Sequence, residues 1–103
     1  MIKVSVFYPD GEGKHFDMKY YCERHIPMVQ KFCGAALRSA AVEGGISGAA
    51  PDLPAPYVAI GHLVFDSVAA YQASLVPHMG PIVGDITNYT NIEPVIQISE
   101  VKM

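Results

Sequence analysis

The segment YVAIGHLVF, residues 57–65, contains no Asp, Glu, Lys or Arg. Its aromatic and β-branched content marks it as a strand. Alternation sets Val58, Ile60, His62 and Val64 on one side and Ala59, Gly61, Leu63 and Phe65 on the other. Both sides are largely apolar, so both need cover. A chain carrying such a strand must fold into a sheet shielded on its two faces. The question is what this chain has to shield it with.

Two helices are available. Asp17 is placed to cap the first, because its carboxylate can accept from the free amides of the opening turn. Projected at 100° per residue, positions 18–33 put Met18, Tyr21, Cys22, His25, Val29, Phe32 and Cys33 on one face. Lys19, Tyr20, Glu23, Pro27, Gln30 and Lys31 fall on the other, and Gly34 ends the helix. The second helix spans DSVAAYQASLV, residues 66–76, capped by Asp66 or Ser67 and interrupted by Pro77. HMGPIVGDI, residues 78–86, reads as a further short helix or an irregular turn. Three more strands complete the pattern. IKVSVFY (2–8) sends Ile2, Val4, Val6 and Tyr8 one way and Lys3, Ser5 and Phe7 the other. AALRSAAVEG (35–44) is weaker, and NIEPVIQISEV (91–101) carries Pro94, which suits an edge strand or a bulge. GGISGAAPDLPAP (44–56), with three Gly and three Pro, is a long loop that should be mobile.

The order β-α-β-β-α-β predicts one α+β domain over residues 1–103: a ferredoxin-like, four-stranded antiparallel sheet with its helices on one face. The helices cover one face only. A second copy of the same sheet would cover the other and close a barrel between two protomers, so a homodimer is expected.

Composition narrows the partners. The net charge is −3 and no basic run occurs, which argues against nucleic acid and anionic membranes. No apolar stretch reaches the ~18 residues a membrane span needs. The opening MIKVSVFYPD lacks a signal peptide's apolar core and reads as a strand of the mature domain. Cys22 and Cys33 lie eleven residues apart on one helix, too far to bond to each other at ~1.5 Å rise per residue. A reduced, cytoplasmic protein is the simpler expectation.

His25 is the main candidate for chemistry. It sits at the centre of the first helix's apolar face, with Pro27 weakening the turn beside it. A lone histidine there is more commonly a satisfied core residue. The functional alternative is a general acid/base in a pocket between helix and sheet. Tyr21, one turn earlier, is the best placed of five candidate phenols, the others being Tyr20, Tyr57, Tyr71 and Tyr89. Cys22 is an i, i+3 neighbour of His25, although an inert thiol is the commoner case. His62 faces either the helices or the interface; His78 follows Pro77 in a poorly patterned stretch; His15 ends a loop. Ser5, Gln97 and Ser99 are polar positions on strands expected to pair. No metal-ligand spacing and no phosphate or dinucleotide motif occurs, so no metal, flavin or haem is expected.

FDMKYYCERHIPMV, PYVAIGHLVFDSVAAYQ and DITNYTNIEPVIQISEV together resemble the EthD family, with Phe16-Asp17…Tyr20-Tyr21…His25-x-Pro27 the most specific run. The resemblance implies a dimeric α/β barrel and a pocket between helices and sheet where His25 would point. Tyr21, Cys22, His62 and His78 are the candidate binding residues from the reading of the chain. The resemblance further implies a small-molecule binding or accessory protein in the breakdown of ethers of the ethyl tert-butyl ether type or of similar xenobiotics. The other implied class is a cofactor-independent enzyme, such as an isomerase, a polyketide-cyclase-like protein or a monooxygenase, using His25 as acid/base.

Overall fold

The computed structural model covers residues 1–103. Four strands, β1 (Ile2–Pro9), β2 (Leu37–Gly44), β3 (Tyr57–Phe65) and β4 (Val95–Glu100), form one sheet in the order β2-β3-β1-β4. Every neighbouring pair is antiparallel. The fold is therefore the ferredoxin-like α+β arrangement. β4 starts at Val95, four residues later than the sequence pattern suggests, because Pro94 has no amide to give the ladder. In register, Val4 lies between Leu63 and Ile98, and Ser5 between His62 and Gln97.

The first helix is not one uniform α-helix. It runs as α1 (Met18–Tyr20), a π-turn (Tyr21–His25) and α2 (Ile26–Cys33). The Asp17 carboxylate accepts from the Tyr20 amide, as a helix cap should. The Ile26 amide reaches back five residues to the Tyr21 carbonyl. Pro27, which has no amide, then falls in the first turn of α2, where none is needed. The widened turn re-phases the helix. Tyr21, His25, Ile26 and Val29 are buried while Cys22 is exposed. Cys22 therefore does not lie on the inner face that a uniform 100° projection assigns it. Gly34 closes α2 with a φ of 58°, a left-handed value that favours glycine.

α3 (Val68–Ser74) is capped by Ser67, whose hydroxyl accepts from Ala70. Asp66 instead holds Arg38 of β2 at 3.0 Å. After a 3-10 turn at Val76–His78 the chain re-forms α4 (Met79–Asp85) and a final 3-10 turn at Ile86–Asn88. Helices and sheet enclose two groups of buried side chains. One centres on Val4, Val29, Leu63, Phe65, Leu75 and Ile82. The other holds Tyr8, Tyr21, Ile26, Ala59, Tyr89 and Ile92. On the opposite face of the sheet Phe7, Ile60 and Val64 are half-buried, with no helix over them.

Candidate functional site

The second core group is mostly aromatic, and His25 sits inside it. The π-turn places Tyr21 and His25 one above the other, with ring centroids 5.5 Å apart and 14° between planes. Tyr21 reaches over β3 at Gly61, where any Cβ would collide with its hydroxyl. Tyr89 closes the group from the other side, its centroid 4.7 Å from that of His25. The chain around Tyr89 is tied down: its carbonyl accepts from the Asp17 amide, and Thr90 donates from its hydroxyl to the His15 carbonyl. The helix start and the segment before β4 are thus held as one unit, and both contribute to the site.

Asp85, at the end of α4, approaches His25 with Oδ2 2.9 Å from Nδ1. Its other oxygen, Oδ1, accepts from the Tyr20 hydroxyl at 2.7 Å and from Asn88 at 3.0 Å. Burial works against the Asp85 charge, but the hydrogen bonds from Tyr20, Asn88 and His25 outweigh it and hold the carboxyl below its usual range. For His25, burial lowers the pKa and outweighs the raising effect of Asp85. The imidazole is therefore neutral at pH 7. A carboxylate only accepts, so Nδ1 carries the hydrogen and Nε2 is left as an acceptor. Tyr89 Oη lies 3.4 Å from Nε2, a long contact, and 2.9 Å from Tyr8 Oη. The donors consequently run in one direction, Tyr8 to Tyr89 to His25 to Asp85. Burial pushes the phenols of Tyr8, Tyr21 and Tyr89 far above their usual range, so all three stay protonated.

A cavity of about 80 Å³ lies between the helices and the sheet, against this group. Tyr8, Tyr21 and His25 are among its lining residues, and Val29, Leu75 and Ile82 are among its aliphatic walls. It reaches the β4 edge at Pro94 and Ile96. The arrangement is a neutral imidazole backed by a carboxylate at the wall of a small apolar chamber, which can accept a proton and return it.

Of the residues singled out in the sequence, Tyr21, His25 and Tyr71 line this cavity. Cys22, His62 and His78 lie elsewhere. Cys22 faces solvent because of the π-turn. His62 is on the opposite sheet face, 3.3 Å from Ser5 Oγ and 3.1 Å from Glu43 Oε1, since it alternates with the inward Gly61 and Leu63. His78 stacks on Phe32 at 4.3 Å on the outer side of the helices. Tyr20, expected on the solvent face, turns in to Asp85. Nothing in the sequence pattern distinguishes Asp85 or Tyr8 as site residues. The only signal available was the i, i+4 spacing of Asp85 and Tyr89 across an irregular segment. No group of three or more His, Cys, Asp or Glu stands close enough to hold a metal ion.

Fold and cavity together define a small α+β protein of the ferredoxin-like type with a chamber between its helices and its sheet. The chain belongs to the EthD family: the EthD domain matches residues 10–92. It is similar to an EthD-like protein from Ralstonia eutropha JMP134, with 46% identity over 99% of this chain and 92% of that one and a TM-score of 0.94. An ethyl tert-butyl ether D (EthD) family protein from Bacillus halodurans C-125 shares the fold at 19% identity, 98% coverage of each chain and a TM-score of 0.73. SnoaB, a cofactor-independent oxygenase from Streptomyces nogalater, shares it at 13% identity, 99% and 92% coverage and a TM-score of 0.56. No curated protein matches the chain in sequence.

Proposed function

We propose that this protein is a homodimeric, cofactor-independent catalyst of proton transfer on a small apolar organic molecule, with His25 as general acid/base and Tyr21 beside it. The observation that carries this reading is the Asp85–His25 pair at the wall of the cavity. A purely structural histidine needs a hydrogen-bond partner. It does not need a carboxylate on one nitrogen and a weak, 3.4 Å contact on the other. The half-buried open face of the sheet, with Phe7, Ile60 and Val64, supports the homodimer, and the two free thiols support a cytoplasmic setting.

A second reading is a binding or accessory protein in the breakdown of ethers of the ethyl tert-butyl ether type, or of similar xenobiotics. It is favoured by the overwhelmingly apolar walls and by Nε2 already facing Tyr89. Melting shifts over a panel of small ethers, lactones and ketones identify ligands, and turnover assays on those ligands separate the readings. For the catalyst, His25→Ala and Asp85→Asn abolish turnover while the dimer still melts cooperatively. Binding without turnover of any bound compound leaves the accessory reading. A stable folded monomer in sedimentation at low micromolar concentration removes the homodimer.

A further inference from the structure

The chamber is too small to take most organic molecules whole. An apolar cavity of about 150 Å³ accepts one benzene. At about 80 Å³ this one has room for half as much, a group of about three carbons. Its wall is not equally thick all round. Val29, Leu75 and Ile82 are buried, whereas Val83 of α4 and Ile96 of β4, which also line it, stand 52% and 55% exposed. Outside those two side chains runs a surface groove. Chamber and groove share Val83, Ile86, Pro94 and Ile96, and the groove continues over Thr87, Ile92 and Glu93. The surface of the groove is mainly apolar, and Glu93 is the one charged residue that lines it.

Resting on the chamber as a ligand site, which both readings above share, we infer that the ligand is an uncharged, straight-chain molecule longer than the chamber. One end of it enters between α4 and β4, and the rest lies in the outer groove. The length follows from the volume: whatever exceeds about three carbons stays outside the chamber, and the groove offers that part apolar surface to lie on. The narrow shape follows from the same limit, because the end that enters cannot carry a ring or a bulky branch. The neutrality follows from the linings. No Lys, Arg, Asp or Glu lines the chamber, so an ionised end would lose its hydration there without gaining a counter-charge. In the groove, Glu93 repels a carboxylate or a phosphate. The site therefore extends from Tyr21 and His25 to the exposed side chains of α4 and the β4 edge.

The probes are the 1-alkanols from 1-propanol to 1-octanol, with affinity and stoichiometry measured by NMR titration of the protein. Each methylene beyond the third carbon should tighten binding about 2–4-fold as it leaves water for the groove, with one alcohol bound per chain. Octanoate should bind about 2–5-fold more weakly than 1-octanol, and Glu93→Gln should remove that difference without changing 1-octanol. Ile96→Trp puts a bulky ring at the opening, on an exposed position, and should abolish the gain with chain length while the melting temperature stays close to that of the parent. Affinity that stops rising past three carbons, or uptake that does not saturate at one alcohol per chain, overturns the inference and leaves the chamber reading standing. A gain with chain length that survives in folded Ile96→Trp overturns the placement of the opening. Octanoate that binds as tightly as 1-octanol overturns the exclusion of anions. Failure of every alcohol and of every compound in the neutral panel to bind overturns both this inference and the chamber reading.

Discussion

Gly61→Ala tests how tightly the site is set against the sheet. A Cβ at this position would stand well inside 3.0 Å of the Tyr21 hydroxyl, whereas the ring carbon bearing that hydroxyl would be 3.4 Å away, an ordinary contact. Tyr21 cannot simply retreat. It is 1% exposed and packs against Tyr8, Phe16, Tyr89 and His25. Overpacking of this kind costs about 1–3 kcal/mol. At roughly 4–8 °C per kcal/mol for a domain near this size, the melting temperature should fall by about 5–20 °C. In a Tyr21→Phe background the colliding oxygen is gone, so the same substitution should cost less than about 1 kcal/mol. The assay is a double-mutant cycle by thermal and urea unfolding, at one protein concentration because association moves the midpoint. A coupling of about 1–2 kcal/mol between the positions is expected. Equal cost of Gly61→Ala in both backgrounds would refute the contact and the placement of Tyr21 over β3.

Acid should destabilise the protein through His25. Its pKa is below 6.5 in the folded state, so the unfolded chain binds that proton more readily and stability is lost as pH falls through 6.5 toward the folded value. His25→Gln should flatten this part of the urea-midpoint profile, and an unchanged profile would show that His25 is not the titrating group. Asp85, whose folded pKa lies below 3.8, contributes stability above that value and loses it at still lower pH; Asp85→Asn should remove that acid limb. Of the two thiols, Cys22 should react with an aromatic disulfide reagent in the native protein and Cys33 only on unfolding; two protected thiols would place Cys22 back on the inner face. In the 44–56 loop, hydrogen exchange should be fast except at Gly45, Gly48 and Leu53, whose amides donate to Val58, Leu53 and Ala50. Uniform protection there would contradict a mobile loop.

The sheet was readable because strand periodicity is local: Ile2, Val4 and Tyr8 alternate with Lys3, Ser5 and Phe7, and the structure buries the first set against the helices. His25 and Tyr21 were readable for the same reason, by helical spacing. Cys22 departs from the 100° projection because a five-residue hydrogen bond changes the angle per residue. Pro27 was the visible trace of that turn. Asp85 was invisible for a different reason. It is sixty residues from His25, on a helix that Pro77 and the 3-10 turns around it break into pieces too short to show a period. Alternation alone does not say which face His62 takes; its pairing with Ser5 in the sheet decides it.

The aromatic packing around His25 also determines how the protein can be observed. The chain has no tryptophan and six tyrosines. Tyr8, Tyr20, Tyr21 and Tyr89 crowd about the imidazole, Tyr71 lines the same cavity, and Tyr57 alone stands apart beside Phe7. Nearly all the near-ultraviolet circular dichroism and intrinsic fluorescence of the molecule therefore originates at one place. Occupancy of the chamber, or a change in the charge of His25, is readable from the unlabelled protein, and Tyr57→Phe would remove most of the background.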